Sequence, residues 1–157
     1  MTTVKTTAKT TVKTTTNNSA SAGQLADRVA QLMECMRRLV DKGKQSADVV
    51  LADWSALADL VDTASFERVG PFHDAMDWEA YTAMLTQWVN HSEGWNPVVK
   101  RVAEAPGVVF AQCEEMITRG DTVFPFYSLS MYVFNEAMKI TRIEVYMQQE
   151  QPAGQQA

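Results

Sequence analysis

The sequence is short of most features that would announce a function. Its 157 residues hold two cysteines, Cys35 and Cys113, far apart and in no CxxC pair. They offer neither a disulfide framework nor a thiolate metal site, and a reducing, cytoplasmic compartment is the simpler expectation. No apolar run approaches the roughly 18 to 20 residues of a membrane span, and the N-terminus lacks the apolar core of a secretory signal. The first 22 residues contain no arginine, unlike a transit peptide. Of the two histidines, His73 adjoins Asp74 with no third ligand at metal-site spacing, and His91 falls near a helix end. No phosphate-cradling loop, dinucleotide glycine pattern, GxSxG or HExxH occurs, so neither metal nor other cofactor is expected.

Positive charge is also scarce. Fourteen basic against 19 acidic side chains give a net charge of −5, which becomes −8 once Lys5, Lys9 and Lys13 of the first 22 residues are set aside. An acidic domain repels phosphate backbones, so nucleic acid is not an expected partner, and nor is a membrane. Those three lysines recur in a Lys-Thr-Thr unit that passes into Asn, Ser, Ala and Gly. Residues 1–22 have too little apolar surface to offset the entropy of ordering, and read as a disordered tail, with 149–157 as a second.

Between the tails lies one domain, residues 24–148. All 14 aromatic residues fall between Trp54 and Tyr146, placing the core there. From Gln24 to Asp41 the apolar residues Leu25, Val29, Leu32, Met36, Leu39 and Val40 recur at spacings of three and four, predicting an amphipathic helix that Gly43 stops. A second helical stretch follows Ser46, with Val50, Trp54, Leu57 and Val61 on one face and a cap at Asp53. Residues 64–72 read as a strand closed by Gly70 and Pro71. Asp77 caps a third helix with Trp78, Tyr81, Leu85, Trp88 and Val89 on its buried face. The period then becomes two. Strands are expected at 97–104, 108–118, 122–134 and 139–148, with connections short enough to make them antiparallel neighbours. The fold class is therefore α+β, with about three helices packed across the concave side of a curved, mostly antiparallel sheet. The hollow between them is where a ligand would go.

Alternation sorts the candidate residues. Val109, Ala111, Cys113, Glu115 and Ile117 share one face, so Glu115 is a carboxylate predicted among apolar neighbours. Burial would raise its pKa into the range a general acid or base needs; the alternative is a strand-end glutamate in solvent or paired with an arginine. Phe66 and Arg68 share a face of the first strand and Glu67 takes the other; Arg68 either enters the hollow, neutralising Glu115 or holding a ligand oxygen, or stays at the rim. Tyr81 and Trp88 on the third helix, and Tyr127 with Val123, Leu129 and Met131 on the long strand, are expected to line the hollow. Phe124, Phe126, Tyr132 and Phe134 make the other face of that strand apolar too, which motivates a homodimer packed sheet against sheet.

The order of three stretches resembles the nuclear-transport-factor-2-like superfamily. They are AlaAspTrpSerAlaLeuAlaAspLeuValAsp at 52–62, PheGluArgValGlyProPhe at 66–72 running into AspTrpGluAlaTyr at 77–81, and LysIleThrArgIleGluValTyrMet at 139–147. That superfamily includes SnoaL-like polyketide cyclases, ketosteroid isomerases, scytalone dehydratases and limonene epoxide hydrolases. The resemblance implies a cone-shaped fold, a second copy as the common partner, and chemistry set by a few polar residues inside. Where the epoxide hydrolases carry an inward arginine and aspartate two apart, this chain has Cys113 and Glu115, and their inward aspartate on the final strand corresponds to Val145. Two of those three catalytic groups are missing. The aspartate base of the ketosteroid isomerases falls near Glu67 or Arg68. Two functions follow as expectations. One is a cofactor-free isomerase, cyclase or dehydratase acting on a small apolar or carbonyl-containing ligand, with Glu115 and Arg68 as its catalytic set and Phe66, Tyr81, Trp88, Cys113, Tyr127 and Val145 around the substrate. The other is a non-catalytic binding or assembly protein of the same fold.

Overall fold

The structure is a computed structural model and describes residues 23–46, 48–91, 94–119 and 121–149. The two expected tails lie outside the described residues, apart from Gln149, which ends the last strand.

Helix α1 (Gln24–Ser46) buries Leu25, Val29, Leu32 and Val40, the apolar stripe visible in the sequence. Its N-terminus is satisfied from a distance, the Ala26 N–H donating to Glu104 Oε2 at 3.0 Å. Gly43 does not stop this helix, contrary to the sequence expectation. It is buried within the last turns, where α1 meets the end of helix α2 (Trp78–His91). A Cβ at Gly43 would lie 2.5 Å from the Val89 carbonyl oxygen, so glycine here permits a close helix approach.

The stretch after Ser46 forms a short 3₁₀ helix (Leu51–Leu57) rather than an α-helix. Its spacing of three brings Trp54 and Leu57 inward, while Val50 is exposed, off the face the sequence suggested. Asp53 caps this segment by accepting the Val50 N–H at 2.9 Å, and pairs with Lys42 of α1. Asn90 of α2 clasps Val49, accepting its N–H at 3.0 Å and donating to its carbonyl at 2.8 Å. The buried Trp54 indole donates to Thr86 Oγ1 at 2.8 Å. Asp77 caps α2 through the Ala80 N–H at 2.9 Å.

Six strands form one sheet in the order β2-β1-β6-β5-β4-β3. Strand β1 (Glu67–Val69) pairs antiparallel with β2 (Ala75–Met76) and parallel with β6 (Ile140–Gln149). The long strands β3 (Trp95–Ala105), β4 (Val108–Arg119), β5 (Thr122–Phe134) and β6 make an antiparallel meander. A register shift interrupts β3 between Val99 and Arg101. The sheet is curved and unclosed, with the helices on one face. Val61, Phe66, Leu85, Val89, Val109 and Ile140 are all buried where the two layers meet.

The close approach at Gly43 sets two effects against each other. Alanine is favoured over glycine in a helix by about 1 kcal/mol, whereas overpacking costs about 1 to 3 kcal/mol. Because the obstructing atom is backbone, Gly43→Ala is expected to lower stability by about 1 kcal/mol, read from its urea midpoint. A more stable variant would show that the helices separate freely.

Candidate functional site

Directly paired residues of an antiparallel ladder share a face. Cys113 pairs with Ser128, and Glu115 with Phe126, so the side chains of Val109, Ala111, Cys113 and Glu115 on β4 and of Phe126, Ser128, Ser130, Tyr132 and Phe134 on β5 look inward together. Ile143, Val145 and Met147 continue this face on β6, and Trp95 and Pro97 on β3. Leu32, Met33 and Met36 of α1 and Tyr81, Met84, Leu85 and Trp88 of α2 close the space from above. A cavity of about 380 Å³ remains between the layers, at the small end of ligand sites.

Glu115 lies at one end of it, half-buried. Oε2 accepts the Trp95 indole N–H at 2.7 Å and Oε1 accepts the Ser128 hydroxyl at 2.5 Å. The strands on either side of β4 each supply one donor, fixing the carboxylate between them. Trp95 is in turn held edge-on by Trp88, their ring centroids 5.7 Å apart. Neither donor is charged, and among the described residues Glu115 forms no ion pair.

Arg68 lies at the other end. It belongs to the cross-strand row of Ile143, Tyr132 and Val109, and Val109 and Glu115 are six residues apart on β4, roughly 20 Å along a strand. Arg68 pairs with Asp74 at 3.1 Å and its guanidinium stands 5.8 Å from the Tyr81 ring centroid. It therefore neutralises Asp74, not Glu115. Glu67, on the opposite face, pairs with Arg142. This settles the orientation of β1 with Arg68 inward.

Between the two ends stand two buried phenols. Burial pushes the Tyr81 hydroxyl up to about 12, with Glu115 raising it further and Arg68 opposing. Burial likewise raises Tyr132 strongly. Both are therefore neutral hydrogen-bond donors throughout the physiological range. The Cys113 thiol is pushed up to about 11, first by burial and then by Glu115, so it is a thiol and not a nucleophilic thiolate.

Arg68, Tyr81, Trp88, Cys113, Glu115 and Val145, all expected at the hollow, line this cavity. Two other expected residues lie elsewhere. Phe66 is 4% exposed and packs behind the wall, stacked on Tyr81 with centroids 5.4 Å apart. Tyr127 pairs with Glu114 on the outer face, together with the exposed Leu129 and Val123. The cause is the turn. Reading residues 119–121 as the connection pairs 118 with 122 and turns Tyr127 inward, but the ladder runs on to Arg119↔Thr122. That one-residue difference exchanges the two faces of β5. Phe126, Tyr132 and Phe134, expected to be covered by a second copy, are instead covered by the chain's own helices. The site residues missed in the sequence, Ser128, Ser130 and Tyr132, follow from the same exchange. Trp95 lies two residues before the strand start predicted at Pro97, outside the alternation that sorts the candidates.

The raised phenols bear on stability. Below pH 10 a tyrosine keeps its proton in both folded and unfolded chains; between 10 and about 12 only the unfolded chain releases that of Tyr81, so stability falls across this window. The loss from Tyr81 is expected to approach 3 kcal/mol, at about 1.4 per pKa unit. Urea unfolding at pH 9, 10 and 11 should show a shallower fall in Tyr81→Phe than in the parent; equal slopes would remove Tyr81 from the account.

No family model matches this sequence, and no curated protein matches it. Solved structures do. A candidate SnoaL-like polyketide cyclase from Jannaschia sp. CCS1 superposes with a TM-score of 0.63 at 12% identity, over 85% of this chain and 91% of the other. IdmH from Streptomyces antibioticus, described as a candidate polyketide cyclase, gives 0.62 at 13% identity, over 79% and 91%. A steroid delta-isomerase from Pseudomonas aeruginosa gives 0.54 at 15% identity, over 82% and 81%. With its helices roofing one face of a curved six-stranded sheet, this chain has the nuclear-transport-factor-2-like cone fold.

Proposed function

We propose that the chain binds a small, largely apolar molecule bearing a carbonyl or hydroxyl oxygen, and performs cofactor-free acid/base chemistry on it of the isomerase, cyclase or dehydratase kind. The observation that carries this reading is Glu115, a carboxylate fixed by Trp95 and Ser128 inside an otherwise mostly apolar cavity. Each of its oxygens accepts one hydrogen bond and keeps a second lone pair for a proton from the substrate. Tyr81 supplies a neutral phenol to the oxygen on which negative charge develops. Arg68 acts through Tyr81, lying over its ring while Asp74 holds the guanidinium in place. Structural neighbours named as polyketide cyclases and a steroid isomerase support the reaction class.

A non-catalytic binding protein is the second reading, favoured by the small number of charged groups: among the described residues only Arg68 and Glu115 are charged and line the cavity. The two part at Glu115→Gln, which keeps the shape and removes the base. For a ligand recovered with the protein by native mass spectrometry, the variant is expected to keep its affinity within about tenfold and to lose at least about a hundredfold in turnover. Unchanged turnover would remove Glu115 from the chemistry; a ligand recovered unaltered by either protein would favour the binding reading.

A second copy is proposed to cover the outer face of the sheet. Val98, Phe110, Leu129 and Tyr146 stand exposed there, and Phe110 pairs with Met131 and Leu129 with Tyr146, which makes the patch continuous. Toward β1 that face turns polar, with Arg142 between Glu67 and Glu144. Sedimentation should give a dimer at micromolar concentration and a monomer for Leu129→Lys. A parent chain that sediments as a monomer would refute the dimer.

A further inference from the structure

The cavity has an unbalanced charge. Among the described residues two charged side chains line it, and their circumstances differ. Arg68 is 13% exposed and already neutralised by Asp74 at 3.1 Å. Glu115 has two neutral donors and, among the described residues, no cation within 4.0 Å. Hydrogen bonds from neutral groups orient a carboxylate but leave its charge in place, and a half-buried carboxylate is stabilised by an opposite charge brought beside it. The space around Glu115 therefore favours positive charge.

The walls at that end suit a positive charge in a second way. Trp88 and Trp95 stand edge to face, so both indoles belong to the cavity wall, and Trp95 is directly bonded to the carboxylate. Indole faces attract cations, most strongly where water is excluded. The thioethers of Met33, Met36 and Met84 on the opposite wall are soft and polarisable, and adapt to an alkylated group without supplying a competing donor. Among the described residues no lysine or histidine lines this cavity to occupy the place first.

We infer that the ligand carries a basic nitrogen, bound as the ammonium between Glu115 and the Trp88–Trp95 pair, with its oxygen-bearing part directed toward Tyr81. This rests on the reading that the cavity takes a ligand, and not on proton transfer at Glu115. The two roles of the carboxylate are compatible: pairing with the nitrogen keeps it beside the protons on that nitrogen and on the adjoining carbons.

Three soluble probes of similar size separate the charge from the shape: phenethylamine, protonated at pH 7; 2-phenylethanol, neutral; and 3-phenylpropanoate, an anion. Their affinities for the intact chain can be read from the indole N–H resonances of Trp88 and Trp95 by NMR titration. Phenethylamine is expected to bind about tenfold tighter than the alcohol, the size of one added charge contact, and the carboxylate weakest of all. In Glu115→Gln the amine and alcohol should bind within about twofold of each other, with the alcohol's own affinity retained as the check that the cavity is intact. If the alcohol or the carboxylate binds the parent chain as tightly as the amine, the inference is overturned while the ligand-binding reading stands. If none of the three moves either indole resonance, both fail together. The ranking in the parent chain decides the matter even if the variant does not fold.

Discussion

The pairing of β4 with β5 is the constraint on which the rest of this molecule depends. Its ladder is in register from Val108↔Val133 to Arg119↔Thr122, and with a side-chain period of two it decides which half of each strand meets the helices. One choice places Ser128 beside Cys113 and within reach of Glu115, and Tyr132 under α2. The other would have placed Tyr127 and Leu129 inside and exposed three aromatic rings. In the register observed, Phe126, Tyr132 and Phe134 are buried beneath the helical layer. Ser128 and Ser130 come inward with them, and so the register that buries the rings also delivers hydroxyls to the cavity.

A few polar ties hold the helical layer together and fasten it to that sheet. Glu104 of β3 caps the start of α1, Asn90 fastens the loop at Val49 to the end of α2, and Asp53 joins the 3₁₀ helix to α1. These bonds sit around the perimeter, leaving methionine, leucine and aromatic side chains to face the sheet. Asp74 is part of the same economy at the β1 end: one oxygen holds Arg68, and the other is buried without a hydrogen-bond partner among the described residues.

Much of this was legible in the chain itself. The stripe from Leu25 to Val40, the cap at Asp77 and the four long runs of period two predict the layers and their order, because each depends on local spacing alone. Glu115 was legible for the same reason: its neighbours at 109, 111 and 113 are apolar or small, and it is the exception among them. What could not be read locally was set by partners distant in sequence. Gly43 looks like a helix stop until Val89 is placed against it, and the 3₁₀ segment at 51–57 is fastened by partners distant in sequence, Lys42 to Asp53 and Asn90 to the preceding Val49. On β5 both faces are rich in apolar residues, so alternation cannot choose between them. Ser128, Ser130 and Tyr132, which alternation does not assign to the site, lie on that strand, and Trp95 precedes the predicted start of β3.

The two ends of the sheet order carry a further consequence. Strand β2 at one edge is two residues long, too short to template another chain. At the other edge β3 is eleven residues long, but Pro97 lacks a backbone donor, the register breaks between Val99 and Arg101, and Lys100 and Arg101 place charge at the break. Such features spoil an open edge as a site for strand addition and so guard against runaway fibrous growth. Strand addition at these two edges is thereby discouraged, and the exposed apolar side chains of Phe110, Leu129 and Tyr146 lie on the broad outer surface of the sheet, on the strands between its edges.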